Sequence, residues 1–493
     1  MFKIMIKVIS SVLIGLLLLV VGVVVLMPGI HISSLPMMLN VLTGSGADTS
    51  DHTLIRELQS TEGYSISIYA RGIANPRMMW QAGNGRLLVS SPKSGEIMQI
   101  SDTDGDGNAD KVTSLLKDLH RPHGLEVHQG FLYVAESNQV GRIKYDAGSG
   151  KVSGDYDIII DELSDNGNHW SKTIRFDEDN WLYLSLGSTC NVCEEVDARR
   201  ASIMRFRADG SDGKIVARGL RNSAGLAIAP WDGSLYATDN GRDLLGDNYP
   251  PCELNKIEQD QFYGWPYLNG DNDIDPDMGA GHESLQNTAK VPVFQFSAHN
   301  APLGIYFSEH LKKTALIALH GSWNRSQPDG YKVVALTWQQ DGTITSRDFI
   351  WGFLKDGEII GRPVDITGDG RGGYFVSDDY ARIIYHVSPN KQKNEAHYAP
   401  SFVSATKGIS LEVGLTDDLL ARKGADLFIQ MNCGSCHSGE ASSQLSLGQV
   451  SSRYTLKTLA DYFLTPTPPM PQFDLDLDAR QQLAHYLIRE NSD

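Results

Sequence analysis

Hydrophobic and polar positions divide the chain into three parts with different periodicities. Residues 8–27 form a mainly apolar run, which is long enough to cross a bilayer as a helix. Between residues 60 and 395, short apolar runs alternate with turn residues, a pattern typical of β-strands. Near the C-terminus, apolar residues such as Leu483 and Leu487 return at helical spacing and predict a final amphipathic helix.

One pattern recurs in the central part: a β run, a turn and often a second β run. The first runs of the copies are residues 86–90, 131–134, 181–184, 235–238, 315–319 and 374–377. Second runs follow four of them, at residues 96–100, 141–145, 202–206 and 382–385. Six copies, roughly 45 to 80 residues apart, predict a mainly β fold, a six-bladed β-propeller over residues 59–395. A pair of β-sandwiches is the alternative, but it would not require the copies to share one pattern.

The composition narrows the range of partners. The 493 residues include 48 glycines and carry a formal net charge of −17. The glycine content suits a turn-rich β protein. The acidic balance argues against nucleic acid as a partner, because phosphate binding needs clustered Lys and Arg.

The N-terminus predicts the compartment. Lys3 and Lys7 precede the apolar run, so we expect a transmembrane anchor over residues 1–30 whose N-terminus lies inside the cell. Residues 31–58 are then a tether. This arrangement predicts a single-pass protein of the bacterial inner membrane with its catalytic body in the periplasm. A cleaved signal peptide is the alternative, although the run is longer than such a segment needs.

The C-terminal part contains a C-x-x-C-H motif, the attachment signature of a c-type haem. Cys433 and Cys436 would form the two thioether bonds, and His437 would be the proximal iron ligand. Met470, in a proline-stiffened loop, is available as the sixth ligand. The alternatives are a zinc half-site, which would want a second ligand pair nearby, and a disulfide.

Residues 418–493 resemble a small, all-α class I cytochrome c domain, joined to the central part by a linker at residues 396–417. A covalent haem c implies one-electron transfer to a respiratory acceptor: a quinone, another cytochrome or an oxidase.

Charged and polar residues fall at the predicted blade edges. His169 immediately precedes a predicted strand, where it is a candidate general base, although a lone His is more often structural. Arg221, Arg325, Lys332 and Arg362 fall at comparable edges and together would form a cationic funnel for a multiply charged anion. Taken singly, each is more simply a solvated loop charge.

These residues carry a resemblance that covers residues 60–390. The region is similar to the six-bladed sugar dehydrogenases that depend on pyrroloquinoline quinone (PQQ), of the soluble glucose dehydrogenase and L-sorbosone dehydrogenase type. The matching stretches are residues 168–187, 219–222, 238–242, 263–266, 320–326 and 361–365.

The resemblance implies roles for individual residues. His169 matches the base that removes a proton from the sugar hydroxyl, and Arg221 and Asn222 match the catalytic pair that holds the quinone oxygens. The backbone carbonyls of Gly241 and Arg242 match ligands of a Ca²⁺ ion. The family has proline at the second of these positions.

Further matches concern the cofactor carboxylates and a second metal. Arg325 and Arg362 match residues that pair with those carboxylates. A basic residue of the family is replaced by Val364, and Lys332 is a candidate substitute. Glu253 and the backbone of Tyr263 resemble a second, structural Ca²⁺ site.

Two other motifs leave alternatives open. Asp102, Asp104, Asp106 and Asp110 alternate around glycines as in Ca²⁺ loops, but no Glu falls at the twelfth position, so a solvated turn is equally compatible. The C-x-x-C at residues 190–193 suits a tight disulfide in an oxidising compartment. A second redox relay is the less favoured alternative.

Together these features predict a membrane-anchored dehydrogenase that oxidises a sugar or sugar aldehyde with PQQ and passes electrons through haem c. One alternative is a propeller lactonase or other metal-dependent hydrolase, which would need carboxylates rather than arginines in the channel. Another is a non-catalytic haem electron carrier whose propeller only docks a partner.

Overall fold

The computed structural model of the chain describes residues 49–83, 85–390, 424, 427–428, 450, 454–463, 475 and 477–490. The chain divides into two compact units, Met1–Lys393 and Asn394–Asp493. The predicted haem residues Cys433, Cys436, His437 and Met470 lie outside the described residues, as does the apolar run 8–27. Among the helices that are described, none combines the length and the apolar character needed to cross a membrane.

In its described residues, the first unit is a ring of six mainly antiparallel sheets, which confirms the predicted six-bladed propeller. The described part of this unit begins with α1 (Asp51–Glu57), β1 (Gln59–Ser60) and β2 (Tyr64–Arg71). Blade 1 follows with β3 (Met79–Gln81), β4 (Arg86–Ser91), β5 (Glu96–Ser101) and β6 (Lys111–Leu116). Blade 2 consists of β7 (Leu125–His128), β8 (Phe131–Ala135), β9 (Val140–Asp146) and β10 (Lys151–Ile160). Blade 3 consists of β11 (Lys172–Phe176), β12 (Trp181–Leu186), β13 (Ser202–Arg207) and β14 (Lys214–Arg218).

Blade 4 contains a long excursion between its third and fourth strands. It begins with β15 (Gly225–Ile228), β16 (Leu235–Asp239) and β17 (Cys252–Ile257). The excursion holds β18 (Gln261–Phe262), which adds to blade 3, the hairpin β19 (Leu268–Asn269) and β20 (Asp273–Ile274), and a 3₁₀-helix (Glu283–Asn287). The fourth strand is β21 (Phe294–Phe296).

The last two blades complete the ring. Blade 5 consists of β22 (Pro302–Phe307), β23 (Thr314–Leu319), β24 (Lys332–Trp338) and β25 (Ile344–Trp351). The hairpin β26 (Leu354–Lys355) and β27 (Glu358–Ile359) leads to blade 6, with β28 (Pro363–Gly368), β29 (Tyr374–Asp378) and β30 (Ile383–Pro389). The early strand β2 pairs with β30 as the outer strand of blade 6, and β1 pairs with β25. Strands from both ends of the unit therefore close the ring.

The second strand of each blade explains why the repeats are visible in the sequence. Leu87, Leu88 and Val89 of β4 are all buried, and every residue of β23 is buried. Neighbouring blades pack face to face, so both faces of such a strand are covered and it reads as a continuous apolar run.

The residues just before the propeller are not a tether along their whole length. We predicted a tether over residues 31–58, but residues 51–57 form helix α1. Leu54 and Leu58 are buried in the core shared by blades 5 and 6, beside Phe349 and Tyr374. The reason is their spacing, since two apolar residues four apart lie on one face of a helical turn.

The second unit contains α2 (Leu456–Tyr462) and α3 (Leu477–Glu490) among its described residues. The predicted final amphipathic helix is confirmed by α3, which buries Leu483 and Leu487 in a small core with Leu459 and Phe463.

Candidate active site

The topology brings several predicted site residues to one end of the central channel. The innermost strands β3, β7, β11, β15, β22 and β28 contact one another around the ring. Because the blades share one meander, these strands run in the same direction, and we call the end where they begin the proximal end. His169 lies just before β11, Arg221 and Asn222 lie before β15, and Arg362 directly precedes β28. All four therefore lie at the proximal end.

The imidazole of His169 is held by Ser188. Its Nδ1 lies 3.0 Å from the carbonyl oxygen of Ser188 and 2.9 Å from the hydroxyl oxygen. We therefore assign the tautomer in which Nδ1–H donates and Nε2 is unprotonated. Nε2 makes no hydrogen bond within the described part of the chain. Burial, and then the positive charge of Arg221, lower the pKa of His169 to about 3, so the imidazole is neutral near pH 7.

Asn222 lies against the same glycine as His169. A Cβ atom built on Gly187 would lie 2.6 Å from the Cβ of His169 and 2.9 Å from Oδ1 of Asn222. Only glycine permits this approach. The side-chain amide of Asn222 makes no hydrogen bond to the described residues. Nε2 of His169, a proton acceptor, and the side-chain amide of Asn222 thus lie close together, and neither is hydrogen-bonded to a described residue.

The turn that carries Arg221 and Asn222 is fixed by Asp239, which ends β16. Its carboxylate accepts hydrogen bonds from the backbone N–H groups of Arg221, at 2.9 Å, and Asn222, at 2.6 Å. Burial raises the pKa of Asp239 to about 7, against the opposing effect of these N–H donors. Sequence reasoning missed this residue, although it lies inside the matching stretch 238–242.

The guanidinium of Arg221 is fully engaged by protein oxygens. It makes five hydrogen bonds, to the carbonyl oxygens of Asn191, Asn240 and Gly241, to Oδ1 of Asn191 and to Oδ2 of Asp243. In this structure Arg221 organises the turn at residues 240–243, and its direct contact with a quinone remains a prediction.

The two carbonyl groups predicted as Ca²⁺ ligands lie on a rigid turn. A Cβ atom on Gly241 would lie 2.5 Å from the carbonyl oxygen of Pro251, so only glycine fits there. The Arg242 side chain is buried and donates to both carboxylate oxygens of Asp275, at 2.8 and 2.9 Å, and to Asp277, at 2.7 Å. This ion pair constrains the turn at the position where the similar family has proline.

Arg362 presents a free donor at the proximal end. Its Nε and Nη2 donate to the carbonyl oxygens of His320 and Gly321, each at 3.0 Å. Nη1 makes no hydrogen bond within the described part of the chain. The backbone N–H of Arg362 donates to Asp378 at 3.0 Å, which repeats in blade 6 the arrangement of Arg221 and Asp239 in blade 4.

A buried cluster beside Arg362 was not predicted. Asp379 accepts hydrogen bonds from Nη1 of Arg77, at 2.8 Å, and from Nε2 of His320, at 2.9 Å. Burial alone would raise the pKa of Asp379, but His320 and Arg77 lower it. Burial, and then the charge of Arg362, lower the pKa of His320 to about 4. The sequence signals were that His320 opens the matching stretch 320–326 and directly follows β23.

Arg325 and Lys332 occupy different environments. Arg325 is half-buried and donates from Nη1 to the carbonyl oxygens of Asp247, at 2.6 Å, and Ala298, at 3.2 Å. The ammonium of Lys332 lies 2.8 Å from Asp348 of the outer strand β25. The prediction that Lys332 substitutes for a missing cofactor ligand beside Arg362 is therefore not supported, because strand geometry commits its side chain to an outer-strand partner.

The second predicted Ca²⁺ site has suitable oxygens. Glu253 is half-buried and accepts hydrogen bonds from Gly270 N–H, at 3.1 Å, and Asn255 Nδ2, at 3.0 Å. Burial, and then the charge of Asp239, raise the pKa of Glu253 to about 8. Oδ1 of Asn255 is buried and has no hydrogen-bond partner among the residues that the structure describes. The hydroxyl of Tyr263 donates to Lys256 O at 2.7 Å, so only its backbone is available to a metal.

The aspartate loop brings three of its four carboxylates together. Oxygens of Asp102, Asp104 and Asp110 lie within 4.8 Å of one another, and Asp106 is not in this group. Asp102 and Asp110 accept backbone N–H groups of the same loop. Hydrogen bonds from Thr103 lower the pKa of Asp110. Ca²⁺ binding here remains a prediction.

Cys190 and Cys193 form a disulfide, which agrees with the tight pairing considered from the sequence. The hydroxyl of Ser188 donates to the carbonyl oxygen of Cys190 at 2.8 Å, so the disulfide-closed segment adjoins the residue that holds His169.

Comparisons with known proteins agree with this architecture. The TrAA12-like family profile matches residues 58–267 and 260–390. An uncharacterised protein of Borreliella burgdorferi is 32% identical over 354 residues, which cover 67% of this chain and 90% of that protein. A pyrroloquinoline quinone-dependent pyranose dehydrogenase of Coprinopsis cinerea is 26% identical over 332 residues, which are 57% of this chain and 45% of that enzyme. The chain thus matches less than half the length of the Coprinopsis enzyme.

Solved structures show the same fold. The calcium structure of the Trichoderma reesei family AA12 enzyme aligns with a TM-score of 0.61 and 22% identity, and covers 68% of this chain and 97% of its own. The holo PQQ domain of the Coprinopsis cinerea pyranose dehydrogenase aligns with a TM-score of 0.58 and 20% identity, over 67% of this chain and 96% of its own. Because the family profile covers more than half of the sequence, the chain belongs to the TrAA12-like family.

Proposed function

We propose that the chain is a PQQ-dependent dehydrogenase that oxidises a sugar or sugar aldehyde. The observation that carries the proposal is the neutral imidazole of His169, whose Nε2 lies beside the amide of Asn222, with neither group hydrogen-bonded to any residue that the structure describes. Relatives that are named as PQQ-dependent pyranose dehydrogenase and as aldose sugar dehydrogenase, from Coprinopsis cinerea and Escherichia coli, support the proposed reaction class.

The proximal end suits a polyanionic quinone. Nη1 of Arg362 donates to no residue in the described ranges, and Arg325 is half-buried on the neighbouring loop. Oδ1 of Asn240 is buried and has no partner among the described residues. These groups would hold the carboxylates and polar edge of the cofactor. Trp323 is 40% exposed on the Arg325 loop and offers an aromatic face to a sugar.

In this proposal the bound quinone supplies the two-electron acceptor. His169 takes the proton of the substrate hydroxyl at Nε2, while Nδ1–H stays bonded to Ser188. The positive imidazolium that results lies near Arg221, which opposes it, and near Asp243, whose charge favours it. Asp243 therefore offsets part of the cost of protonating the base.

We propose that Ca²⁺ binds at the carbonyl oxygens of Gly241 and Arg242, and that Glu253 with Tyr263 holds a second, structural ion. The Arg242 carbonyl makes no hydrogen bond within the described part of the chain. The Gly241 carbonyl accepts one bond from Arg221, at 2.9 Å, and has a second lone pair. Oxygen donors suit a hard cation.

We also propose that the chain is anchored in the bacterial inner membrane and that its haem c passes electrons to a respiratory acceptor. The apolar run 8–27 behind Lys3 and Lys7 supports the anchor and a periplasmic body. The motif at residues 433–437 supports covalent haem.

The test uses purified full-length protein loaded with PQQ and CaCl₂. Dye reduction is measured on a panel of aldoses and sugar aldehydes, and haem reduction is followed by absorbance. Sugar-dependent dye reduction that requires PQQ supports the dehydrogenase, and simultaneous haem reduction supports the electron path. Lactone hydrolysis without dye reduction, or no turnover and no PQQ binding, would overturn the proposal.

A further inference from the structure

The segment closed by the Cys190–Cys193 disulfide, which we call the disulfide ring, lies against the candidate active site. The ring contains residues 190–193. Asn191 is half-buried, and it is the ring residue whose side chain hydrogen-bonds to other blade segments.

Asn191 uses three of its polar atoms to join separate segments. Its carbonyl oxygen accepts Nε–H of Arg221 at 2.8 Å, and its Oδ1 accepts Nη2–H of Arg221 at 2.9 Å. Oδ1 also accepts the backbone N–H of Asp243 at 2.8 Å, and Nδ2 donates to the Asp243 carbonyl at 3.0 Å. The side-chain amide thus pairs with the Asp243 backbone at two points, as a neighbouring strand would.

The two partners of Asn191 make further contacts with the same turn and with His299. With Nε and one Nη2–H held by Asn191, Arg221 directs Nη1 to the carbonyl oxygens of Asn240 and Gly241. Asp243, held through its backbone, directs Oδ2 to Arg221 at 3.1 Å and Oδ1 towards His299 at 3.5 Å.

The ring also contacts the partner of His169. The hydroxyl of Ser188 donates to the carbonyl of Cys190 at 2.8 Å and lies 2.9 Å from Nδ1 of His169. The disulfide ring is therefore hydrogen-bonded both to Ser188, which orients His169, and to Arg221 and Asp243, which shape the turn at residues 240–243.

We propose that Asn191, held in its conformation by the Cys190–Cys193 disulfide, is a positioning residue that fixes Arg221 and the 240–243 turn for cofactor binding. Its relevance to catalysis rests on the proposed function. Asn191 must lose backbone freedom to align both its carbonyl and its side chain on one guanidinium. A cross-link that closes so short a loop restricts the backbone beforehand, so less conformational entropy is lost on alignment. The disulfide and Asn191 should therefore act as one unit.

The first experiment needs no cofactor. Amide hydrogen exchange of residues 240–243 is measured by mass spectrometry in full-length protein carrying Asn191→Ala, Cys190→Ser with Cys193→Ser, or all three changes. We expect exchange to accelerate roughly tenfold in Asn191→Ala, because hydrogen bonds to a charged group and to the backbone are lost. The cysteine pair should have a similar or smaller effect, and the triple variant should match Asn191→Ala.

Asn272 provides a matched control. It is buried and, like Asn191, joins its own segment to another through its side chain, because Nδ2 donates to the carbonyl oxygens of Gln286, at 3.1 Å, and Ala289, at 2.9 Å. Asn272→Ala should leave exchange at residues 240–243 unchanged. Unchanged exchange in Asn191→Ala, or additive effects of the disulfide and Asn191, would overturn the proposal.

The second experiment separates positioning from general stability. PQQ affinity is measured by equilibrium titration of the metal-supplied protein, alongside the thermal midpoint of each variant. We expect Asn191→Ala to bind PQQ roughly tenfold more weakly, while Asn272→Ala binds it normally at a comparable loss of thermal stability. Equal PQQ affinity in the two variants would show that Asn191 contributes only to general stability and would contradict its role as a positioning residue. If the unmodified protein binds no PQQ, the proposed function fails, and the exchange result alone still decides whether Asn191 sets this geometry.

Discussion

Arg242 and Asp275 form a buried, two-pronged ion pair. Nη1 of Arg242 lies 2.8 Å from Oδ1 and 2.9 Å from Oδ2 of Asp275, and the Asp275 side chain is fully buried. Asn269 also donates to Asp275 at 2.9 Å. Burial opposes ionisation, but hydrogen bonds from Asn269 and Arg242 lower the pKa of Asp275. The pair links the turn that carries the proposed Ca²⁺ ligands to the β19–β20 hairpin.

We expect Arg242→Ala to lower the free energy of unfolding by about 3–5 kcal/mol, because it leaves the buried Asp275 carboxylate without its positively charged partner. Urea denaturation at pH 7 measures the loss. The control is Arg207→Ala, which removes an ion pair at 3.7 Å whose side chains are 49% and 57% exposed and should cost about 0–1 kcal/mol. Equal losses in the two variants would contradict the importance of this buried pair.

His169→Ala should lower kcat by roughly 10²- to 10⁴-fold, the usual effect of removing a general base. PQQ affinity should change little, since the proposed carboxylate ligands Arg325 and Arg362 remain. Steady-state dye reduction and PQQ titration together measure both effects. His52→Ala, which alters an exposed side chain on α1, is the control. Near-normal turnover of His169→Ala would remove this residue as the base.

His123 should make the stability of the propeller depend on pH. It is buried, its Nδ1 lies 3.1 Å from the Lys172 carbonyl oxygen, and burial and then the charge of Arg77 lower its pKa to about 3. The unfolded chain therefore binds a proton below pH 6.5 that the folded chain does not. The contribution of the neutral, buried His123 to the free energy of unfolding is therefore complete above pH 6.5. It is lost as the pH falls from there towards the folded-state pKa.

The His123→Gln variant isolates this effect. The stability advantage of the unmodified protein over His123→Gln should shrink by about 2 kcal/mol between pH 7 and pH 5. Urea denaturation at the two pH values measures the change, and His52→Gln, at an exposed position, serves as the reference. An advantage that stays constant would show that His123 takes up its proton equally in the folded and unfolded chains.

The blades were predictable because their second strands are covered on both faces. Residues such as Leu132 of β8 and Leu184 of β12 are fully buried, so each copy leaves a local apolar signature. The closure of the ring was not predictable. Strand β2 pairs with β30, more than three hundred residues later, and no local pattern reports a pairing over that distance.

The candidate site also contains residues that the sequence could identify and residues that it could not. His169, Asn222 and Arg362 were identified because they lie in short stretches with a distinctive order of residues. Asp239 and Asn191 were missed because their role consists of contacts with other segments, which depend on strand register and on the disulfide. The partner of Lys332 could not be identified for a related reason, since only the fold shows that Asp348 lies beside it.

Met470→Ala tests the proposed haem centre. A thioether ligand raises the potential of a haem iron and keeps it low-spin, so its loss should lower the midpoint potential and give a high-spin or altered visible spectrum. Redox titration and absorbance spectroscopy of the full-length protein measure both changes. Met278→Ala, which changes a methionine in the blade 4 excursion, is the control and should leave the haem unaltered. Because PQQ reduction by sugar would not depend on Met470, dye reduction taken directly from the quinone should persist while haem reduction slows. An unchanged haem spectrum would mean that another residue holds the sixth position.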